Sequence, residues 1–332
     1  MSMMHLSDLH ELAVEVLVAS KTSHENAAAV ARALVKADAD GIPSHGVSRL
    51  PAYADQAKAG KVDGFATPDV SMPKTASVRV DARSGFAYPA IEAGTEAVFG
   101  AIKTTGIVGV AIGNSHHAGV AGHHVETFAE QGYLALGLSN SPAGIAPWGG
   151  NRAIYGTNPV AFACPRDGAA PIVADFSTSK VARGKIKLAA DKGEQIPEGW
   201  AVDASGAPTT DAKAAMGGSL LPMGDAKGAA LVMMVEILAA SLTGSNHGFE
   251  ASSFFDDKGG PPHIGQFFIV IDPEGFSGGH FADRLSLLSE AILAQDGTRL
   301  PGQRRFDIRA TSAEVGVDIP DALLDELRTR AG

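Results

Sequence analysis

A histidine and an arginine stand four residues apart in the segment DGIPSHGVSRL, and this pair offers the clearest chemistry in the sequence. If a helix begins near Gly46, His45 and Arg49 lie on neighbouring turns of one face. The guanidinium can hold a carboxylate through two parallel hydrogen bonds, and the imidazole can donate a proton near neutral pH. Ser44 can orient the imidazole or relay a proton. The pattern fits reduction of an oxo or imino acid, and a helix cap beside a surface histidine is the alternative.

Four of the eleven histidines fall within nine residues, in NSHHAGVAGHH. A metal site is disfavoured, because no H-E-x-x-H motif or cysteine is near and adjacent histidines cannot all face one point. The segment IVGVAIG before them predicts a strand that ends in a loop opening a helix. At that edge we expect His117 to face a ligand. The small residues after it would let a flat ring or a phosphate approach the backbone: Ala118, Gly119, Ala121 and Gly122.

Basic side chains are dense in two segments, although the chain as a whole is acidic. They are candidates to hold the phosphates of a dinucleotide, whereas a solvated helix face is an equal explanation for Lys187 and Lys192. No G-x-G-x-x-G follows a predicted strand, so a nicotinamide dinucleotide would not bind through the usual Rossmann fingerprint. The basic residues are Lys180, Arg183, Lys185, Lys187 and Lys192 in one segment, Arg299, Arg304 and Arg305 in the other, and Lys227 at a predicted helix start.

Two further nucleophile patterns carry little weight. GFSGG, residues 275–279, matches the G-x-S-x-G motif of hydrolases. The only histidine after Ser277 is His280, which is too close to return from a separate loop. Cys164 ends the apolar segment PVAFACP and is expected to be a small buried residue.

Composition limits the class of protein. The 332 residues carry 27 Lys and Arg against 37 Asp and Glu, a net charge of −10, which disfavours nucleic acid and anionic membranes as partners. Glu236 interrupts the longest apolar segment, so no span of about 20 apolar residues is predicted. Acidic residues near the N-terminus exclude a secretion signal, and a single cysteine excludes an internal disulfide. We expect a cytoplasmic protein.

Apolar periodicity predicts helices at both ends of the chain and an α/β region between them. Helices are predicted after Ser7, from Ser23 to about Ala39, and up to Gly60, making an all-helical N-terminal lobe. Strands and helices alternate from about residue 74. The chain is helical again from about Ser277, and this tail could pack back onto the N-terminal lobe. The predicted strands are ASVRVDA, IVGVAIG, YLALGLS, PVAFACP, PIVADFS and IGQFFIVID.

Six ordered motifs together resemble the malate/L-lactate dehydrogenase-like oxidoreductases. That family includes ureidoglycolate and sulfolactate dehydrogenases, diketogulonate reductase, and the Δ1-piperideine-2-carboxylate/Δ1-pyrroline-2-carboxylate reductases. The resemblance covers nearly the whole chain. The motifs are DGIPSHGVSRL, NSHHAGVAGHH, SNSPAGIAPWGGNRAIYGTNPVAFACP, DFSTSKVARGKIKLAADKGEQIPEGWAVD, LLPMGDAKGAALVMMVEIL and LPGQRR.

The resemblance implies an α/β fold: a non-Rossmann NAD(P)-binding domain with a mixed sheet, residues 74–282, and a discontinuous helical domain, residues 1–73 with 283–332. It implies a homodimer in which His45 donates a proton, Ser44 relays it, Arg49 holds the substrate carboxylate, and Thr157 and His117 face substrate and nicotinamide. NADP is preferred to NAD, because hydroxyls and a lysine follow Asp175. The implied coenzyme-binding residues are His117, Ala118, Gly119, Val120, Ala121, Asp175, Phe176, Ser177, Arg183, Ala226, Lys227, Gly302, Arg304 and Arg305.

Within the family, SPAGIAPWGG and SSFFDDKGGPP look most like the cyclic-imine reductases that form L-proline or L-pipecolate. The sequence departs from them at Lys185, where the imine-reducing members have an acidic residue after A-R-G. The alternative within the family is a 2-hydroxy-acid dehydrogenase acting on malate, lactate or ureidoglycolate. A more remote one is a non-catalytic dinucleotide-binding protein. The resemblance implies no metal.

Overall fold

The computed structural model describes residues 1–332 and has twelve α-helices. None of these helices is long and apolar enough to cross a membrane. The helices are α1 Leu6–Val18, α2 His24–Ala39, α3 Leu50–Ala59, α4 Ala87–Thr105, α5 Ala121–Glu130, α6 Arg183–Lys192, α7 Ala212–Met216, α8 Asp225–Glu236, α9 Glu274–Ser277, α10 Phe281–Leu293, α11 Gln303–Val315 and α12 Asp321–Ala331.

Twelve strands form a seven-stranded sheet and two small ones. The large sheet has the order β2-β3-β4-β11-β5-β6-β7. Only β3 and β4 are parallel, so the sheet is mixed, as predicted. The strands are β1 Ser2–Met4, β2 Asp69–Lys74, β3 Ser77–Asp81, β4 Ile107–Ser115, β5 Leu134–Ser139, β6 Val160–Cys164, β7 Ile172–Phe176, β8 Ala201–Val202, β9 Pro208–Thr209, β10 Ser219–Leu220, β11 Ile264–Ile271 and β12 Val317–Ile319.

Helices cover both faces of the central strands, because these strands carry apolar residues on each face. On one face, α4 and α5 close a core that includes Val110, Ile112 and Phe268. On the other, the last turns of α8 and the π-helical turn Ile237–Ser241 pack on β5 and β6. This second face is the side on which the loops after β5 and before β6 leave the sheet.

The two ends of the chain share one apolar core. Strand β1 pairs with β12, and Leu324 and Leu327 of α12 lie in the same cluster as the leucines of α1 and α2. The helical tail therefore packs against the N-terminal helices. Whether the chain divides at residues 73 and 283 stays a prediction.

Nine elements are absent from the sequence-based prediction: β1, β2, β8, β9, β10, β12, α7, α9 and α11. Strand β2 lies in a segment interpreted as Gly/Pro-rich, and its side chains are all exposed at the sheet edge, so apolar alternation could not reveal it. Strands β1 and β12 are three residues each. Helix α11 has one buried residue, Ser312, and is held by ion pairs instead of an apolar stripe. The N-terminal lobe is therefore not all-helical.

Candidate active site

The segment with Ser44, His45 and Arg49 folds as two short 3-10 turns instead of the predicted helix. These turns span Pro43–His45 and Val47–Arg49, and the α-helix α3 begins only at Leu50. The chain turns at Gly46, whose Cα lies so close to the Asp38 carboxylate that a Cβ there would overlap it. Asp38 accepts the N–H of Val47 at 2.7 Å, and its burial raises the pKa of this carboxyl to about 7. A buried carboxyl on α2 thus supports the turn.

Ser44, His45 and Arg49 are in mutual contact. Ser44 Oγ lies 3.0 Å from Nδ1 of His45, and Arg49 Nε donates to the Ser44 carbonyl at 2.7 Å. Burial, together with the smaller effects of the nearby Arg49 and His123, lowers the pKa of His45 to about 4, so the imidazole is neutral at pH 7. The Arg49 guanidinium lies over the Phe255 ring, 4.7 Å from its centre, which pre-orients its remaining donors.

His117 faces the same space from the end of β4. Its ring centre is 5.6 Å from that of His45 and 4.9 Å from that of Phe254. Its Nδ1 lies 2.6 Å from the hydroxyl of Tyr53, and burial raises the pKa of Tyr53 to about 12. Burial holds the pKa of His117 well below its usual range, and the charge of Arg49 is the next largest cause. Two neutral imidazoles, one guanidinium and an aromatic wall therefore enclose one small volume.

The four clustered histidines point to four different partners. His116 bonds Gln56, His117 bonds Tyr53, and His123 bonds Asp40. His124 donates to the Ala118 carbonyl. No group of three or more His, Cys, Asp or Glu side chains is arranged to hold a metal ion.

The loop after His117 connects this volume to the end of β7. Gly119 has a φ of +66°, a conformation that favours glycine. The Tyr88 hydroxyl lies where the Cβ of any other residue would stand. The Gly122 amide at the start of α5 donates to the Asp175 carboxylate at 2.7 Å. Asp175 is exposed to solvent, and the protein atoms around its carboxyl raise the pKa of that group.

The other proposed coenzyme segments contact β7 or the residues that follow it. The Thr157 carbonyl accepts bonds from the Ser177 hydroxyl at 3.2 Å and from the Thr178 amide at 2.9 Å. Met223 N donates to the Thr178 carbonyl, which brings the start of α8 close. On the other side, Val173 N donates to the Pro301 carbonyl, next to Gly302. Exposed side chains line this region: Phe176, Ala226, Lys227 and Arg304.

The sequence matches the malate/L-lactate dehydrogenase family over residues 4–328. The chain belongs to this family. Such a dehydrogenase-family member is an NAD(P)-dependent oxidoreductase.

Relatives and solved structures of this family align over the whole dehydrogenase chain. A (2R)-3-sulfolactate dehydrogenase (NADP(+)) of Chromohalobacter salexigens is 50% identical over 99% of this chain and 98% of its own. A Δ1-pyrroline-2-carboxylate/Δ1-piperideine-2-carboxylate reductase of Pseudomonas putida is 45% identical over 93% and 92%. The crystal structure of Δ1-piperideine-2-carboxylate reductase from Pseudomonas syringae superposes with a TM-score of 0.94 at 40% identity, over 99% and 100% of the two chains.

Several basic residues predicted to bind phosphate already have partners within the dehydrogenase chain. Arg305 pairs with Asp40 and Glu126, and Arg183 donates to the Met216 carbonyl at 3.0 Å. Arg304 and Lys227 are exposed, and Lys185 is an exposed residue of α6. At the start of α5, the Asp175 carboxylate accepts the Gly122 amide.

Several side chains that shape the site had no role predicted from the sequence. Phe254 and Phe255 form the aromatic wall, and Tyr53 bonds His117. Lys61 is 2% exposed and lies beneath the wall. Glu236 is 3% exposed and carried the one available signal, since it is a lone charge in an apolar helix.

Proposed function

We propose that this chain is an NADPH-dependent reductase of small cyclic imino acids, converting Δ1-pyrroline-2-carboxylate and Δ1-piperideine-2-carboxylate to L-proline and L-pipecolate. The observation that carries the proposal is the pairing of one guanidinium, Arg49, with an aromatic wall beside His45 and His117. One carboxylate fits the guanidinium, and an apolar ring fits against Phe254. The names of the Pseudomonas relatives support the same substrate class.

In the proposed reaction Arg49 holds the substrate carboxylate and His45 protonates the imine nitrogen, with Ser44 as relay. The bound coenzyme supplies the hydride that C2 receives, so one hydride and one proton together turn the C=N bond into an amine. His45 is neutral in the free chain, partly because of the charge of Arg49. A substrate carboxylate offsets that charge, so we expect substrate binding to raise the pKa of His45. His117 and Thr157 then orient the ring.

The convergence of the candidate segments on β7 supports a coenzyme cleft between the loop after His117 and the start of α8. Asp175 is suited to a ribose hydroxyl at the end of β7, and the small residues of the loop after His117 keep its backbone accessible to a flat ring. NADP is preferred because the sulfolactate relative is named for it. The binding residues we propose are His117, Ala118, Gly119, Val120, Ala121, Asp175, Phe176, Ser177, Arg183, Ala226, Lys227, Gly302, Arg304 and Arg305.

We also propose the non-Rossmann architecture, the two-domain division and the homodimer. Support for the homodimer comes from α8 and the turn after it, where exposed apolar side chains recur at helical spacing. These are Met233, Met234, Ile237 and Leu242. Such a stripe on a long helix is typical of a face that packs against a partner.

A second candidate is a (2R)-3-sulfolactate dehydrogenase, which the 50% identical relative favours. That substrate carries a sulfonate as well as a carboxylate, so it needs a second cationic group near Arg49. Arg49 is the fixed cation that lowers the pKa of both His45 and His117. An imino acid with one carboxylate therefore fits the described site better.

The test is a steady-state panel with NADPH and NADH against both cyclic imines, 3-sulfopyruvate, oxaloacetate and pyruvate. We expect the highest kcat/KM with a cyclic imine and NADPH. Preference for 3-sulfopyruvate would establish the second candidate, and preference for oxaloacetate or pyruvate the general 2-hydroxy-acid alternative.

Two variants test the assigned roles. Arg49→Ala should raise KM and lower kcat/KM, whereas His45→Ala should chiefly lower kcat. Exposed residues provide matched controls, Arg79→Ala and His24→Ala, which should behave like the wild type. An unchanged kcat in His45→Ala would contradict the proton-donor role.

A further inference from the structure

A lysine is buried beside the proposed site, although no step of the reaction uses it. Lys61 follows α3, which ends in a left-handed turn at Gly60 with a φ of +78°. This turn directs the chain inward, and the Lys61 amide donates to the Gln56 carbonyl at 2.9 Å. The whole side chain is only 2% exposed. A buried ammonium is costly unless every N–H has a partner.

Three backbone carbonyls of one loop supply those partners. Lys61 Nζ donates to the carbonyls of Ser253 at 2.7 Å, Asp256 at 3.0 Å and Lys258 at 2.7 Å. The Asp256 carboxylate lies 3.6 Å away. The three N–H groups of an ammonium are thereby satisfied by three acceptors that converge on one point. Carbonyl oxygens thus surround the ammonium as they would surround a metal cation in a carbonyl-lined site.

This loop has no helix or strand of its own, so the lysine is a principal long-range anchor. Between residues 251 and 263 the chain makes only turns and bends. Its other bond to α3 is from Gln56 Nε2 to the Asp256 carbonyl, at 3.1 Å. A second long-range bond joins the Ser84 hydroxyl to Nε2 of His263 at 2.7 Å, at the far end of the loop. Within residues 253–258 the remaining bonds are local, such as that from the Phe255 amide to the Ser253 hydroxyl. Without the ammonium, three carbonyls would converge with no donor between them.

The same loop carries the aromatic wall of the site. Phe254 is buried against His117, with ring centres 4.9 Å apart, and Phe255 lies under the Arg49 guanidinium. Both rings stand between Ser253 and Asp256, two of the residues whose carbonyls bind the ammonium. The position of the wall therefore depends on Lys61, which itself touches neither His117 nor Arg49 in any hydrogen bond.

We propose that Lys61 is a positioning residue that sets substrate specificity, acting as a built-in cation that folds the loop of residues 253–258 over the site. It holds Phe254 where the apolar ring of the substrate packs and Phe255 where it aligns Arg49 with the carboxylate. This deepens the proposed function and rests on it for the identity of the ring.

The experiment compares Lys61→Ala and Lys61→Met with the wild type and with Lys58→Ala, an exposed lysine at the end of the same helix. In the Lys61 variants we expect KM for the cyclic imine to rise about tenfold or more, since a wall misplaced by about 1 Å is costly. KM for NADPH should stay close to the wild-type value. Amide hydrogen exchange in residues 253–258 should become faster, while exchange in β11 should not.

Chemical rescue separates a lost cation from general damage. Ethylammonium added to Lys61→Ala should restore slow exchange in the loop and lower KM, whereas tetramethylammonium, which has no N–H donor, should not. If Lys61→Ala unfolds, the Lys61→Met and Phe254→Ala single variants and their double variant decide the matter. Non-additive losses in KM support the proposal, because both changes remove the same wall.

Two results would overturn the proposal: wild-type KM and loop exchange in Lys61→Met, or additive losses in the double variant. If the proposed function itself is wrong, the result differs from both of these. In that case the wild type reduces no cyclic imine, yet the exchange of residues 253–258 still shows whether Lys61 holds the loop.

Discussion

The hydroxyl of Tyr53 lies 2.6 Å from Nδ1 of His117. Burial raises the pKa of Tyr53 to about 12, so the hydroxyl keeps its proton, and we assign it as the donor in this bond. His117 is neutral because burial lowers its pKa. With Nδ1 as acceptor, the single ring proton is assigned to Nε2, which becomes a hydrogen-bond donor for whatever lies beside it. A residue outside the sequence motifs thus sets the tautomer of one inside them.

Removing this hydroxyl should impair turnover without unfolding the chain. In Tyr53→Phe the ring still fills its place, but Nδ1 of His117 loses its donor and the imidazole can adopt the other tautomer. We expect kcat/KM for the preferred substrate to fall about tenfold, the loss of one buried hydrogen bond. Tyr133→Phe is the control. Equal kcat/KM in the wild type and Tyr53→Phe would show that the tautomer does not matter.

A methyl group at Gly46 should disrupt the turn that presents His45. The Cβ would overlap the Asp38 carboxylate, which supports the turn through the Val47 amide. Gly46→Ala is expected to lose most activity and about 1–3 kcal/mol of stability, measured by urea denaturation. Gly100→Ala, in the middle of α4 with open space around it, should instead gain up to about 1 kcal/mol. A Gly46→Ala protein as active as the wild type would contradict this account.

Glu236 should prove essential to the loop of residues 140–159, which carries Thr157, and to the loop at Gly248. Its buried carboxylate accepts bonds from Asn158 Nδ2 at 2.6 Å, the Gly248 amide at 2.7 Å and Asn140 Nδ2 at 3.4 Å. Glu236→Gln places an amide donor among these donors, so we expect a loss of about 2–4 kcal/mol in the free energy of unfolding. Urea denaturation measures it, with the exposed Glu96→Gln as control. A loss under about 0.5 kcal/mol, as for an ordinary surface site, would disprove the role.

The chain should lose stability as the pH falls from 7 to 5. Burial lowers the pKa of His45 and His124 to about 4 and that of His116 to about 3, so below pH 6.5 the unfolded chain binds protons that the folded chain does not. Asp38 acts in the opposite direction, since its pKa is raised to about 7 and the folded state takes up its proton first. The pKa of Asp175 is also raised, so it acts like Asp38, but the pKa values of His117 and His123 are lowered as well, and the five histidines outweigh the two carboxyls.

His116 offers a test of this effect, because it is 1% exposed and has no step in the proposed reaction, although its ring packs against Phe254. By pH 5 its share of the loss should be about 2 kcal/mol. In His116→Gln, the difference in unfolding free energy between pH 7 and pH 5 should shrink by that amount, whereas His24→Gln should leave it unchanged. A stability that is flat from pH 7 to 5 in the wild type would argue against buried neutral histidines.

Local patterns in the sequence determined the elements with strong periodicity. The apolar spacing of α1, α2 and α12 and the strands β4, β5, β6 and β11 all lie where they were predicted. The grouping of Ser44, His45 and Arg49 was also predicted, because residues so close in sequence stay close in any turn. The predicted helix through Gly46 was wrong, since the proximity of Asp38 forces two 3-10 turns.

Only the tertiary structure decided which distant side chains meet. Lys61 and the loop at Ser253 are far apart in the chain, as are Tyr53 and His117, and Arg305 and Asp40. The residues next to Lys61, Tyr53 and Arg305 in the sequence do not indicate which side chain or carbonyl each one contacts, because lysine, tyrosine and arginine are also common on protein surfaces. Burial makes the difference: once packing excludes water, each polar group must find a protein partner, and the fold of the whole chain determines which one is within reach.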